Sequence, residues 1–151
     1  MIIMNLTDSH VAALVSFVRD IRREQLRELT AHELDAVRNT FFRVLKSENA
    51  RCRICESDGR IVGYLAMHLV EFAMLLGCEA YVTELFVGKD DRGRGAGTLL
   101  LDDAERICRD AGCIRIMLNN PRHYDSYMRS YYQKHGFEER TGFANFVKQL
   151  R

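Results

Sequence analysis

Apolar residues in the first third of the chain recur at three- and four-residue steps, the period of helices with one buried face. A short apolar run from Met1 to Asn5 predicts a strand, after which Thr7 or Asp8 can cap a helix facing inward through Val11, Leu14, Val15 and Val18. Thr30 and Glu33 form a T-x-x-E capping box ahead of Leu34, Val37, Phe41, Val44 and Leu45, which predicts a second helix. The stretch DIRREQLREL between them could continue either one. The period then changes to two. CRICE and RIVGYLAMHLV alternate on either side of Ser57, Asp58 and Gly59, and Asp-Gly permits the positive dihedrals of a tight hairpin. A third strand, EAYVTELFV from Glu79 to Val87, leads into the glycine-rich KDDRGRGAGT. From Ala96, the positions Leu100, Ala104, Ile107, Cys108 and Ala111 trace another helix, closed by Gly112. CIRIMLN predicts a strand with Ile114, Ile116 and Leu118 on one face, and a helix from about Tyr124 to His135 ends at Gly136. The tail reads as short strands, with FANFVKQL alternating least cleanly. The order predicts an α/β fold of the α+β kind: a mixed, mostly antiparallel sheet of about seven strands flanked by about four helices.

Composition narrows the class. The 151 residues carry 22 Lys+Arg against 21 Asp+Glu and are 47% hydrophobic, as expected of one soluble domain over residues 1–151. A chain of this length buries roughly two-thirds of its unfolded surface, so its core needs no staple. A net charge of +1 offers no broad basic field to a nucleic-acid backbone, so an anionic ligand must be captured locally. The longest uncharged hydrophobic stretch, Ile61 to Val70, is ten residues, too short to span a membrane. The N-terminus has no basic leader, which makes a cytoplasmic location the default expectation.

Five cysteines, at 52, 55, 78, 108 and 113, are an odd number, and the reading is reduced thiols without metal. Cys52 and Cys55 form a C-x-x-C, and His68 follows at a finger-like spacing, but no second histidine closes the set. Alternation would place the two thiols on opposite strand faces, as small buried hydrophobes.

The segment Arg92, Gly93, Arg94, Gly95, Ala96, Gly97, Thr98 sits between a strand and a helix, where exposed backbone N–H groups and the positive end of the helix dipole converge. Glycines admit close approach, and Arg92 and Arg94 can pair with phosphate oxygens. A diphosphate fits, although a plain glycine-rich turn has the same residues. No Lys follows Gly97, so the P-loop pattern fails; Thr98 stands where the dinucleotide fingerprint needs its third Gly.

Here the chain resembles the GNAT superfamily of N-acetyltransferases. Its signature, Arg/Gln-x-x-Gly-x-Gly/Ala at a helix start, is matched by Arg92, Gly95 and Gly97. In the family a later helix carries Tyr, three residues and Gly-Phe, matched by Tyr132, Gly136 and Phe137. The resemblance is close from Glu79 to Phe137 and extends to the remainder by element order. It implies acetyl-CoA as acyl donor, with no metal. The pyrophosphate would lie on Arg92, Gly93, Arg94, Gly95, Ala96, Gly97 and Thr98, and the pantetheine arm would pair with the backbone of Leu85, Phe86 and Val87. Tyr132 matches the general acid and would meet the thioester sulfur, while Tyr131 packs.

The transfer needs removal of a proton from the acceptor ammonium. Glu84 is the candidate base, since it interrupts YVTELFV on the strand face expected to hold Val82 and Phe86, where a carboxylate is penalised. Pairing with an arginine or binding a cationic substrate are the alternative readings; Glu79 is the runner-up and is expected to be solvated. Asp125 and Met128 replace the Asn and small residue common in the family, so the amide contact to the cofactor is assigned to Asn120, with Asn119 as alternative. His123, Tyr124 and Tyr127 read as core, with an acceptor pocket as the alternative, and His68 and His135 read as structural. The acceptor is expected to be a primary amine of a small molecule or peptide, with no nucleic-acid or membrane partner. A homodimer through the apolar Phe72 to Leu76 segment is among the assemblies the resemblance implies. A non-catalytic acyl-CoA-binding module on the same fold, or a nucleotide-binding protein using the same turn, are the competing functions.

Overall fold

The structure is a computed structural model and describes residues 1–150. The chain divides into two compact units, Met1–Asn119 and a second from Asn120 onward. In the first, five strands form a mixed sheet in the order β1 to β5: β1 (Ile2–Asn5), β2 (Ala50–Ser57), β3 (Arg60–Phe72), β4 (Gly77–Val87) and β5 (Cys113–Leu118). The first four are antiparallel, and β5 runs parallel to β4. A parallel neighbour needs a crossover, which α3 (Ala96–Asp110) supplies.

Sheet faces follow from the alternation of β3. Tyr64 and Ala66 join Cys52, Ile54 and Leu6 in a core with Val11, Leu14 and Val15 of α1 (Val11–Glu24) and Phe41 of α2 (Ala31–Lys46). The odd positions face α3: a Cβ at Gly63 would stand 3.4 Å from Leu100, and the Cys108 thiol lies 3.9 Å from the Met67 sulfur. Cys52 and Cys55 are buried on these opposite faces, and among the described residues no group of three or more His, Cys, Asp or Glu could hold a metal ion. No described helix is long and apolar enough to cross a membrane.

Local signals behave as their physics requires. Thr30 and Glu33 exchange the two hydrogen bonds of the capping box. Asp58 and Gly59 have φ of 52° and 73°, the left-handed pair that turns the β2–β3 hairpin. DIRREQLREL is divided at Glu24, where Leu26 turns left-handed and the amides of Gln25 and Arg27 fold back onto the carbonyls of Ile21 and Arg22.

Three expectations are corrected. The described residues contain five strands, not seven, and five α-helices, not four. The tail makes no strand: Phe143, Phe146, Val147 and Leu150 are largely exposed, and alternation yields a strand only where a neighbour takes up its backbone hydrogen bonds. The helix expected from Tyr124 to His135 is two short ones, α4 (Asp125–Met128) and α5 (Tyr131–Lys134). Between them Ser130 is left-handed with φ of 54°, its amide bonded to the Tyr127 carbonyl three residues back.

One buried ion pair ties α3 to the sheet. Arg53 on β2 is 8% exposed and holds Asp103 of α3 and the amide oxygen of Asn5 on β1. Removing one member of such a pair leaves a desolvated charge. Asp103→Ala is therefore expected to cost about 3–5 kcal/mol in urea denaturation.

Candidate active site

β4 is paired unequally. Its bonding to β3 runs the full length of the strand, to Val87 opposite Gly63. Its pairing with β5 runs from Cys78 opposite Cys113 only to Val82 opposite Leu118. From Thr83 to Val87, β4 therefore has no strand on its second side among the described residues, and its outward N–H and C=O groups are open to an extended ligand. Leu85, Phe86 and Val87 lie on this edge.

The residue at which pairing is lost is also a β-bulge. Met67 stands opposite Val82 but Ala66 opposite Glu84, so Thr83 is the extra residue, its hydroxyl donating to the Ala66 carbonyl at 3.2 Å. This corrects the expected face pattern. Val82 goes with Met67 toward α3, whereas Glu84 and Phe86, opposite Ala66 and Tyr64, look toward α1 and α2. One inserted residue reverses the alternation, a reversal invisible in the letters YVTELFV.

The free edge leads into the glycine turn. The Gly88 amide donates to the Val62 carbonyl at 3.0 Å, holding the end of β4 to β3. Gly93 and Gly95 then take φ of 77° and 91°, and Gly95 is the N-cap of α3. No side chain caps that terminus. The first-turn amides of a 15-residue helix, including those of Ala96, Gly97 and Thr98, thus start at an end whose dipole favours an anion. The space where Cβ atoms would stand at Gly93 and Gly95 holds nothing within 4 Å, so it is backbone conformation, not crowding, that demands glycine. Ala96 is buried against the core, and Gly97 and Thr98 are half-buried.

The two arginines of the turn behave differently from one another. Arg92 braces the scaffold: its Nε donates to the Val87 carbonyl at 3.0 Å and its Nη2 meets Glu24 of α1 at 2.6 Å. The other Glu24 oxygen accepts from the Lys89 amide at 3.1 Å. Arg94 is exposed and makes a loose 3.8 Å contact with Asp91. Asp91 is already held by both Arg60 nitrogens, at 2.7 and 2.8 Å, which keeps its carboxyl below the usual range.

Glu84 accepts a hydrogen bond from the Tyr64 hydroxyl at 3.1 Å. Burial around the carboxylate raises its pKa, while the Tyr64 bond and the charge of His68 oppose the rise. Desolvation, with Glu84 beside it, likewise pushes the Tyr64 phenol up, so that it stays a donor. Tyr64 is 2% exposed and ringed by Phe17, Phe41 and Phe86 at 5.9–6.0 Å. Sequence reading missed it; the available signal was a tyrosine inside an apolar strand, whose hydroxyl needs a partner once buried. His68 is exposed. Glu79 is corrected from solvated to buried: it is 4% exposed and paired with Arg115 on β5. Asn119, at the end of β5, donates to the Tyr81 hydroxyl at 2.8 Å.

In the second unit, the Tyr-x-x-x-Gly-Phe motif is a helix stop. Gly136 has φ of 80°, its amide bonds the Gln133 carbonyl at 3.0 Å, and the Phe137 amide reaches the Tyr132 carbonyl at 3.1 Å. These are the two bonds of a Schellman cap, and the Phe137 ring packs on Tyr132 at 5.7 Å as that cap favours. Tyr132 also meets Tyr131 edge-on at 5.1 Å. Burial, with Tyr131 beside it, pushes the Tyr132 phenol up to about 12, so it is a proton donor across the neutral range. Asn120 accepts from the Ser126 hydroxyl at 2.8 Å. Tyr127 donates to Glu139 at 2.9 Å, Tyr124 is 43% exposed and His123 stacks edge-on beside it, so this trio is not core as expected.

Comparison with known proteins agrees with this geometry. The model of the acetyltransferase (GNAT) family matches residues 15–137. The "uncharacterized N-acetyltransferase YhfO" of Bacillus subtilis (strain 168) is 26% identical over 102 residues, 68% of each chain. A transcriptional regulator from Bacillus halodurans C-125 superposes with a TM-score of 0.84 at 20% identity, over 99% of both chains. A "predicted acetyltransferase with acetyl-CoA" from Clostridium acetobutylicum gives 0.77 at 18% identity, over 97% of this chain and 95% of the other. With a family match across most of its length, on a fold that ends a splayed strand at a glycine-opened helix terminus, the chain belongs to the acetyltransferase (GNAT) family.

Proposed function

We propose that this protein is an N-acetyltransferase that moves an acetyl group from acetyl-CoA to a primary amine of a small molecule or peptide, with residues 1–151 acting as one domain. The observation that carries the reading is the unpaired β4 edge, Thr83–Val87, followed after a 3-10 turn at Lys89–Asp91 and the glycine turn by the N-terminus of α3, which no side chain caps. An extended arm and a diphosphate need those two surfaces in that order. When bound, acetyl-CoA supplies an acetyl group activated as a thioester.

The chain's own residues divide the remaining work. The turn amides and Arg94 hold the diphosphate, while Arg92 keeps the turn's shape through Val87 and Glu24. Glu84 takes a proton from the acceptor ammonium, directly or through a water, leaving the neutral amine free to attack. Its raised pKa makes it a stronger base than an ordinary carboxylate. Tyr64 positions that carboxylate. Tyr132, assigned from the motif it occupies, donates from its hydroxyl to the departing sulfur, and with its phenol pKa at about 12, above that of a thiol near ~8.5, hydrogen bonding outweighs full proton transfer. YhfO carries the name of an uncharacterized N-acetyltransferase, in keeping with an amine as acceptor.

Gly95→Val is expected to weaken acetyl-CoA binding roughly tenfold in calorimetry, since φ of 91° costs a side chain about 1–2 kcal/mol; unchanged affinity would remove the turn from the site. Tyr132→Phe should lower kcat about 10²-fold with acetyl-CoA affinity intact. Unaltered turnover would remove Tyr132 from the mechanism, and a parent that binds acetyl-CoA tightly yet turns over none of the amines tested would be a binding module. Tyr64→Phe removes a bond that lowers the Glu84 pKa, so Glu84 loses its proton only at higher pH. The acidic limb of kcat/KM is then expected to move upward in pH, and a profile that stays put would exclude Glu84 as the base.

A further inference from the structure

Apart from the candidate site, the other cluster of reactive groups in the first unit is sulfur. Cys78 opens the parallel pairing of β4 with β5, directly in register with Cys113. Their Sγ atoms stand 2.9 Å apart, and the Cys108 thiol of α3 also bonds Cys113. Neighbouring strands lie about 4.8 Å apart, inside the Cα window of roughly 4.4–6.8 Å that a disulfide spans. Cys78 is buried and Cys113 is partly open to solvent. Cys52 and Cys55, facing opposite sides of the sheet, cannot pair with each other.

We propose that Cys78 and Cys113 are a site of reversible oxidation, at which hydrogen peroxide converts the two thiols into a disulfide that locks the closed end of the β4–β5 pair. Peroxide oxidises Cys113, the accessible sulfur, to a sulfenic acid and leaves as one water. The Cys78 sulfur then displaces the sulfenic oxygen as a second water, forming the S–S bond. Two thiols lose two hydrogens, and one peroxide is reduced to two waters. The bond forms five residues before Thr83, about 16 Å along the strand, so it leaves the open cofactor edge as it is. Burial, reinforced by Cys78 and Cys108, raises the Cys113 thiol pKa, so little of it is thiolate at neutral pH and its reaction with peroxide is slow.

The test is peroxide treatment of the native full chain, read by intact mass and peptide mapping. The expected result is loss of about 2 Da, recovered on dithiothreitol treatment, with a single Cys78–Cys113 cross-link. Tm should rise by about 5 °C, because the bond closes a long loop. Cys78→Ser should leave Cys113 as a sulfenic acid trapped by dimedone. A Cys108–Cys113 link would overturn the proposal. So would over-oxidation of Cys113 without a link, a link that leaves Tm unchanged, or native thiols inert at a peroxide dose that oxidises the urea-unfolded chain.

Discussion

The pairing of β4 is the constraint on which the rest of the first unit depends. An antiparallel neighbour holds the strand along its whole length, whereas the parallel neighbour lets go at Val82. A free edge inside a sheet is ordinarily a liability, since unpaired backbone groups invite another strand. Here the edge is short, begins at a bulge and ends in a glycine turn, so it presents a defined length of backbone rather than an open template. The same bulge turns Glu84 away from the α3 core and toward α1 and α2, where Tyr64 can reach it. The open edge and the place of the carboxylate thus both start from one irregularity in one strand.

Electrostatics around the turn are arranged by pairing. Arg60 and Asp91, Arg92 and Glu24, and the looser Arg94 contact with Asp91 balance charges near the helix terminus. What remains uncompensated is the backbone field of α3, with Arg94 as the most weakly engaged cation. This arrangement suits a chain whose formal net charge is +1. A ligand with several negative charges would be met by fixed dipoles and the loosely held Arg94 guanidinium, with no extended basic surface needed.

The second motif has two layers of meaning. Its Gly136 and Phe137 end a helix through a Schellman cap, which is sufficient physical reason for Gly and an aromatic at those positions. The cap also fixes Tyr132, because its carbonyl accepts the Phe137 amide and its ring packs on the Phe137 ring. A tyrosine whose backbone and ring are both held has a restricted hydroxyl position, a requirement for any group that must meet a developing charge.

Local chemistry was legible in the sequence. The Thr30–Glu33 capping box, the Asp58–Gly59 hairpin, the glycines at the start of α3 and the stop at Gly112 each depend on a few adjacent residues whose dihedral and hydrogen-bonding preferences are intrinsic. So were the helical and strand periods of the first 118 residues, because buried faces impose them. Partnership was not legible. Whether the apolar tail forms strands depends on an edge elsewhere taking up its hydrogen bonds, and the helix that divides at Ser130 shows no breaker in its letters. Glu79 reads like any strand-end carboxylate until β5 brings Arg115 to it. By alternation alone Glu84 and Val82 would share a face; the bulge at Thr83 puts them on opposite ones. The sequence by itself determined the elements of the first 118 residues and the glycine-rich turn, since those follow from short-range backbone physics. Tertiary structure alone decided which edge of β4 stays open and which face Glu84 occupies, since both depend on how distant strands register against one another.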